Sequence, residues 1–411
     1  MQPVVDRFLH YVTFDTQSSP MSEDSPSTSS QLVFADELVK ELQNLGMKDI
    51  FRSETGTVYA HIEGNRNVPA IGFIAHMDTS PDAPSSNIQP RMVHYQGGDI
   101  ALGHSGVELS PTSFPILSHK VGEHLIVTDG TTLLGADDKA GIAEIMTMLD
   151  ILHQDPSLPH GPLYVAFTPD EEVGRGVDHF ELQRFPVAFA FTVDGGQIHD
   201  VEWENFNAAS AVISIRGLGI HPGGAKGKMV NALMLAMEFD QLLPINERPE
   251  FTSGYEGFHH LHSLQGDVEF ATMEYLLRHH DENEFRRMKM QMTRAATYLN
   301  ELHHGSWITV HITDSYSNMR NIMEHHRDII DLAYRAIQSI GLTPSSMPIR
   351  GGTDGAMLTA KGLPCPNLGT GGYNAHSRYE FVSVEEMEQA VKLLLTISSL
   401  HATPKEENHE N

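Results

Sequence analysis

The feature that most constrains the fold of this chain is a short apolar run that ends abruptly in ionisable residues. Gly72-Phe73-Ile74-Ala75 has the composition of a buried strand, and His76 and Asp78 follow it. Because alternate residues of an extended chain point the same way, His76 and Asp78 are predicted to face one direction. A metal-ligating histidine usually has a carboxylate beside it that fixes its tautomer. Alone, the pair is more typical of a strand end that meets solvent, so the prediction depends on later segments.

Four later stretches place further ionisable residues at the same kind of position. A helix predicted over 139–153 and strands predicted over 163–168 and 188–193 indicate an α/β layer with helices on both sides of a sheet. Ligands of such sheets bind beyond the carboxyl ends of the strands. The residues that we expect to converge there are His76, Asp78, Asp137, Asp138, Glu171, Glu172, Asp194 and His376.

The pattern changes near residue 207, which predicts a second domain inserted into the first. The order is β-α-β-β-α-β, as in the split ferredoxin-like unit. The predicted elements are strand 209–216, helix 227–243, strand 263–270, strand 272–279, helix 282–303 and strand 306–313. The chain of 411 residues exceeds the size at which one core keeps growing. The predicted organisation is 1–206 and 318–411 for the α/β domain and 207–317 for the insertion, with a loop-rich connection over 79–123.

A cluster of so many acidic groups is tolerable only with bound cations. Cys365 is the only cysteine, so the ligands would be histidines and carboxylates, which suit zinc, cobalt or manganese in an open catalytic site. The number of groups predicts two ions, as in hydrolases that polarise a carbonyl and generate a bridging hydroxide. Of the adjacent Glu171 and Glu172, one can ligate while the other transfers protons. Taken singly, each motif is also explained by a helix N-cap, a solvated loop or a plain turn.

The charge balance favours small cationic ligands over polyanions. The chain has 27 basic and 54 acidic residues and a formal charge of −27, which argues against nucleic acid and anionic membranes as partners. A single cysteine fits a reducing compartment. The first residues lack the charged start and apolar core of a signal peptide, and no apolar stretch approaches the length of a membrane span. These observations predict a soluble, cytoplasmic protein.

Signature blocks spread over nearly the whole chain resemble those of the di-zinc exopeptidase family of aminoacylases and carboxypeptidases. The blocks are 72–84, 134–143, 168–174, 191–196, 221–232, 349–356 and 363–382. The resemblance implies a zinc-exopeptidase-like α/β/α catalytic domain that carries an inserted ferredoxin-like lid domain. It also implies two Zn²⁺ per subunit, with Co²⁺ or Mn²⁺ as substitutes.

Carried over residue by residue, the resemblance implies a role for each member of the cluster. His76 and Asp194 would bind one zinc, and Glu172 and His376 the other. Asp137 would bridge the two ions. Asp78 would orient His76, and Glu171 would be the general base. Whether the peptide bond between Asp137 and Asp138 is cis, as in relatives, is a question that the sequence leaves open.

Within the family the resemblance is closest to the tripeptide aminopeptidases, which implies small unblocked peptides as substrates. An enzyme limited to tripeptides must also bind the far carboxylate, which requires cationic groups at a fixed distance from the metals. The candidates are His221, Lys226, Arg278 and Arg350. In the family the lid histidine also stabilises the tetrahedral intermediate, and Gly351-Gly352 beside Arg350 leaves room for a ligand.

Two other interpretations stay open at this point. One is a dipeptidase, carboxypeptidase or N-acyl-amino-acid deacylase of the same family. The other is a catalytically inactive metal-binding or interaction protein that retains the scaffold. The sequence also leaves open whether the chain forms a homodimer.

Overall fold

A computed structural model describes residues 3–104 and 106–403 of the protein. The chain divides into two compact units. The first comprises Met1–Trp203, Ile322–Ser346 and Thr353–Asn411, and the second comprises Glu204–Asn321 and Met347–Gly352. The predicted bounds of the inserted domain, 207–317, stay a prediction.

Helices and strands alternate along both units. In chain order they are α1 (Pro3–Tyr11), α2 (Ser30–Asn44), β1 (Lys48–Arg52), β2 (Val58–Ile62), β3 (Ile71–His76), β4 (Arg91–His94), β5 (Ile100–Leu102), β6 (Val107–Leu109), β7 (His124–Val127), α3 (Ala136–Gln154), β8 (Leu163–Thr168), β9 (Phe189–Gly195), β10 (Val201–Glu202), β11 (Asn207–Arg216), α4 (Ala232–Gln241), β12 (Phe258–Gly266), β13 (Phe270–His279), α5 (Glu282–Leu302), β14 (Ile308–Tyr316), α6 (Arg320–Met323), α7 (Arg327–Ser339), α8 (Asp354–Ala360), β15 (Asn367–Gly369), β16 (Gly372–Tyr373), β17 (Phe381–Ser383) and α9 (Val384–Ala402).

The first unit is built on a seven-stranded sheet in the order β1-β2-β8-β3-β9-β15-β10. Its middle strands β8, β3, β9 and β15 are parallel, and every residue of β3 is buried. Such continuously apolar strands need cover on both faces. Ile74 packs in one cluster with Leu358 of α8, whereas α3 packs on β3 and β9. The predicted α/β/α class is confirmed.

A small second sheet takes one strand, β4, from the region predicted to be a loop-rich connection. Its order is β16-β17-β7-β4, and β5 and β6 form a separate hairpin. Most of the stretch 79–123 is irregular as predicted, but the prediction missed β4, β5 and β6, because strands of three or four residues are too short to show periodicity. Their apolar side chains join a core that includes Leu109, Leu125 and Phe381.

The second unit is a four-stranded antiparallel sheet with two helices. The sheet order is β12-β13-β11-β14, and α4 and α5 bury their apolar faces with it in one cluster. The predicted β-α-β-β-α-β order is confirmed. The helix predicted over 227–243 begins later, at Ala232, because the side chain of Asn231 caps it by accepting from the Leu233 N–H. The first hairpin strand also ends earlier than predicted, at Gly266, whose φ of +155° allows the turn into β13.

None of the helices within the described residues is long and apolar enough to cross a membrane.

Candidate metal centre

The parallel strands of the first unit bring the predicted ligands to one edge of the sheet. β3 ends at His76, β8 ends just before Glu171 and Glu172, and β9 carries Asp194 next to its last residue. Carboxyl ends of parallel strands meet at the same edge. The start of α3 adds Asp137, and the loop between β16 and β17 adds His376.

Asp137 is shared by two groups of possible ligands. In the first, His76 Nε2 lies 2.8 Å from Asp137 Oδ1 and 3.4 Å from Asp194 Oδ1. In the second, His376 Nε2 lies 2.8 Å from Glu172 Oε2 and 3.3 Å from Asp137 Oδ2. Within each group the ligand atoms all lie within 4.8 Å of one another. The two oxygens of one carboxylate therefore face two different His-plus-carboxylate groups.

The charge state of these groups indicates a site that requires cations. Burial raises the pKa of Asp194 to about 6 and the pKa of Glu172 to about 8. Burial opposes charge on His376 too, yet hydrogen bonds to Asp137 and Glu172 raise its pKa to about 11. The buried carboxylates therefore need positive charge beside them, as a cation site would provide.

The donor set fits divalent metal ions. Oxygen and imidazole nitrogen donors without thiolates suit zinc or manganese in catalytic sites. Glu172 Oε1 is buried and has no hydrogen-bond partner among the described residues, which leaves it available for a ligand.

Asp78 orients both the imidazole and the acidic loop. His76 Nδ1 lies 3.0 Å from the Asp78 carbonyl oxygen and 3.4 Å from its carboxylate. A proton on Nδ1 leaves Nε2 free to bind a metal. The Asp78 carboxylate also accepts the backbone N–H groups of Glu171 at 3.0 Å and Glu172 at 3.2 Å. One buried side chain therefore positions a ligand of each group.

Glu171 lies next to this centre but belongs to neither ligand group. Burial raises the pKa of its carboxyl well above the usual 4.5, and the charges of Asp194 and Glu172 raise it further. A carboxyl group of raised pKa beside two groups of possible metal ligands is suited to accept a proton and return it.

Two neighbouring aspartates have supporting roles that the motifs did not reveal. Asp138 accepts the backbone N–H of His76 at 3.1 Å. Asp170 accepts from Ser27 N at 2.7 Å and from Gln31 Nε2 at 2.8 Å, which ties the acidic loop to the start of α2. Asp138 was among the residues predicted to converge at this edge, although no role was predicted for it. For Asp170 the only available signal was its position beside Glu171 in the sequence. The peptide bond between Asp137 and Asp138 is cis.

A cavity of about 280 Å³ adjoins the metal centre within the first unit. Its walls include Asp137 and Asp194 and the glycine-rich backbone at Gly196 and Gly372. The space can accommodate a small side chain next to the ligand groups.

The four predicted carboxylate-binding residues all lie in the second unit. His221 and Lys226 are exposed, and His221 Nδ1 accepts the Gly223 N–H at 3.2 Å. Arg278 is partly buried in β13 and donates to the carbonyls of Leu277 at 2.9 Å and Ala209 at 3.2 Å.

Arg350 is held by a loop of its own unit. One guanidinium nitrogen donates to the carbonyls of Gly254 at 2.7 Å and Glu256 at 2.8 Å, and the other donates to Thr252 Oγ1 at 2.9 Å. The sequence predicted space for a ligand at the two glycines that follow Arg350. A Cβ at Gly351 would meet nothing within 4 Å, whereas a Cβ at Gly352 would meet the Tyr316 ring.

Comparison with known proteins identifies the family. The model of peptidase family M20/M25/M40 matches residues 129–399. Peptidase T of Pectobacterium atrosepticum is 50% identical over 406 residues, which cover 98% of this chain and 99% of that protein. Among solved structures, aminopeptidase PepT from Bacillus cereus superposes with a TM-score of 0.77 at 23% identity and 98% coverage of both chains. A dinuclear metal-binding peptidase of the M20 family from Bacillus subtilis superposes with a TM-score of 0.66 at 14% identity and 97% coverage of both chains. These matches confirm the resemblance and the hydrolase class predicted from the motifs, and the chain belongs to peptidase family M20/M25/M40.

Proposed function

We propose that the protein is a metal-dependent aminopeptidase that removes the N-terminal residue from tripeptides. The observation that carries the proposal is Asp137, whose two oxygens face separate His-plus-carboxylate groups. The relatives named peptidase T, similar over almost the full chain, support the tripeptide substrate. The dinuclear metal-binding relative supports two ions.

His76, Asp137 and Asp194 would hold one zinc ion, and Asp137, Glu172 and His376 the other. When bound, two such ions polarise the scissile carbonyl and lower the pKa of an attacking water. Cobalt or manganese can replace zinc with the same donors.

Glu171 is the residue that moves the proton in this proposal. Its carboxylate accepts a proton from the attacking water and returns it to the nitrogen of the leaving dipeptide. Burial supports the second step, because a carboxyl group of raised pKa retains the proton until the amine takes it. Asp78 keeps Glu171 in place through the backbone hydrogen bond.

The second unit would bind the C-terminal carboxylate of the tripeptide and act as the lid domain. His221, Lys226, Arg278 and Arg350 are the candidate groups, and His221 would also stabilise the developing oxyanion. Arg350 is the most constrained of them, since three hydrogen bonds fix its guanidinium plane.

A chain-length series of peptides tests the function. We expect hydrolysis of a neutral tripeptide, with release of its first residue, and much slower hydrolysis of the matching dipeptide, tetrapeptide and N-acetylated tripeptide. Chelation should abolish the activity, and added zinc or cobalt should restore it. A preference for the N-acetylated peptide would assign a deacylase instead, and activity that survives exhaustive chelation would exclude the metal mechanism.

We also infer that the protein functions in the cytoplasm. Cys365, its only cysteine, is buried and free, which suits a reducing compartment. Cell fractionation with an antibody to the protein tests the location.

A further inference from the structure

The backbone that leads into α3 is held by a residue far along the chain. Gly135 precedes α3, has no side chain to offer and adopts a φ of +77°, and the backbone angles of Asp137 and Asp138 are not yet helical. The first N–H groups of a helix have no partner within the helix and need an acceptor. Glu380 fills this need: its Oε2 accepts the N–H groups of Leu134 at 2.6 Å and Gly135 at 2.8 Å, and its Oε1 accepts that of Asp137 at 3.0 Å.

These backbone groups are the described polar partners of the Glu380 carboxylate. The residue is 1% exposed, and the nearby basic side chain Lys139, whose pKa burial lowers and the Glu380 charge raises, donates its hydrogen bond to the Phe14 carbonyl at 2.8 Å. A buried carboxylate is stabilised when backbone N–H groups donate hydrogen bonds to it. The N–H groups that hold it flank and include Asp137, the residue shared by both ligand groups.

The same carboxylate belongs to the hairpin that carries His376. Gly372 pairs with Val382 and Tyr373 pairs with Phe381, so Glu380 closes a short hairpin loop that contains His376. Within the loop the Glu380 N–H donates to the Ser377 carbonyl at 3.2 Å. One side chain thus joins the segment of Asp137 to the segment of His376.

We propose that Glu380 is a positioning residue that sets the distance and orientation between Asp137 and His376, and so tunes metal binding at the shared centre. This inference rests on the proposed function only for the presence of metal ions, and not for the choice of substrate. A carboxylate is needed because it offers lone pairs on both oxygens, whereas an amide would present its NH₂ group to one of the three donors.

Glu380→Gln tests this role by keeping the size of the side chain while removing one acceptor. The apo-protein is titrated with Co²⁺, and affinity, stoichiometry and the visible absorption spectrum of the bound cobalt are recorded. We expect Co²⁺ affinity to fall about 10- to 100-fold, the usual effect of removing a partner that orients ligands, and the spectrum to change. Glu380→Asp, which keeps the charge but reaches less far, should give a smaller loss.

Asp281→Asn is the matched control. Asp281 caps α5 in the second unit by accepting the N–H groups of Asn283 and Glu284, so the change removes the same kind of bond elsewhere. It should leave Co²⁺ affinity and spectrum unchanged. Unchanged cobalt binding in both Glu380 variants would overturn the proposal, as would equal losses in Asp281→Asn.

The experiment also separates this inference from the proposed function. If the unmodified protein binds two Co²⁺ but does not cleave tripeptides, the proposed function fails while the role of Glu380 stands. If the unmodified protein binds no Co²⁺, the inference about Glu380 is wrong as well. Melting temperatures of the apo-proteins identify a variant that has lost its fold, and Glu380→Asp then decides the outcome.

Discussion

Exchanging Glu171 for glutamine separates proton transfer from metal binding. Glu171 is absent from both ligand groups, and its backbone N–H, not its side chain, is held by Asp78 at 3.0 Å. Glu171→Gln therefore leaves the ligands and their anchor unchanged and removes only the group that transfers protons. General acid–base catalysis contributes about 10²- to 10⁴-fold, so kcat should fall by that factor, or about 2.7–5.4 kcal/mol in activation free energy.

The neighbouring Glu172 provides a matched comparison. Glu172 Oε2 lies 2.8 Å from His376 Nε2, and its side chain is only 3% exposed. Glu172→Gln removes a charged ligand from the second group, so the variant should lose one metal equivalent on dialysis. Glu171→Gln should retain both.

The assay measures kcat for a neutral tripeptide at saturating substrate and metal content by atomic absorption on the same dialysed samples. Two results would refute the reasoning. One is a Glu171→Gln enzyme with more than a tenth of the original kcat. The other is a loss of metal from Glu171→Gln equal to the loss from Glu172→Gln.

Three further predictions concern the orientation of ligands, the buried acid of α3 and the substrate carboxylate. Asp78→Asn should weaken Co²⁺ binding about 10- to 100-fold in a calorimetric titration, because the Asp78 carboxylate lies 3.4 Å from His76 Nδ1 and accepts the Glu171 and Glu172 N–H groups; unchanged affinity would contradict an orienting role. Glu144 is fully buried without a hydrogen-bond partner among the described residues, and burial raises the pKa of its carboxyl well above 4.5. The folded state therefore binds the extra proton, and stability falls as pH rises from about 4.5 towards the raised pKa. The difference in melting temperature between apo Glu144→Gln and the unchanged apo-protein should therefore shift in favour of the variant as pH rises. The exposed Glu23→Gln should show no such shift. If the melting temperatures of Glu144→Gln and the unchanged protein depend on pH in the same way, the pKa of Glu144 is not raised by burial. Arg350→Lys should raise KM for a tripeptide with little effect on the same tripeptide bearing a C-terminal amide; equal effects on both would show that Arg350 does not bind the carboxylate.

The central strand and its neighbours were predictable because burial on both faces leaves an unmistakable apolar run. The run that ends at His76 in β3 is such a case, and the observed strand spans Ile71–His76. The ferredoxin-like order of the second unit was also readable, because its helices are long and amphipathic and its strands alternate. The strands β5 and β6 could not be predicted, because three residues are too few to show an alternation of apolar and polar side chains.

The residues that support the metal ligands through hydrogen bonds could not be predicted from the sequence for a different reason. A ligand motif such as Asp137-Asp138 names residue types that metals prefer, and these types are few. A hydrogen bond from a backbone N–H has no such signature, because every residue except proline offers one. The bond between Glu380 and Asp137 therefore appears only when the register of the hairpin Gly372–Ser383 against α3 is known.

The scattered origin of the ligands has a consequence for how the protein is made. His76 and Asp137 emerge early from the ribosome, whereas His376 follows only after the entire second unit has been synthesised. Until that last loop appears, the nascent chain exposes an incomplete set of acidic ligands that cannot enclose a second ion. On the proposed function, the group of His76, Asp137 and Asp194 is already synthesised before the second unit, so only the second ion has to wait for His376. A chain truncated before the final hairpin should therefore bind no more than one ion.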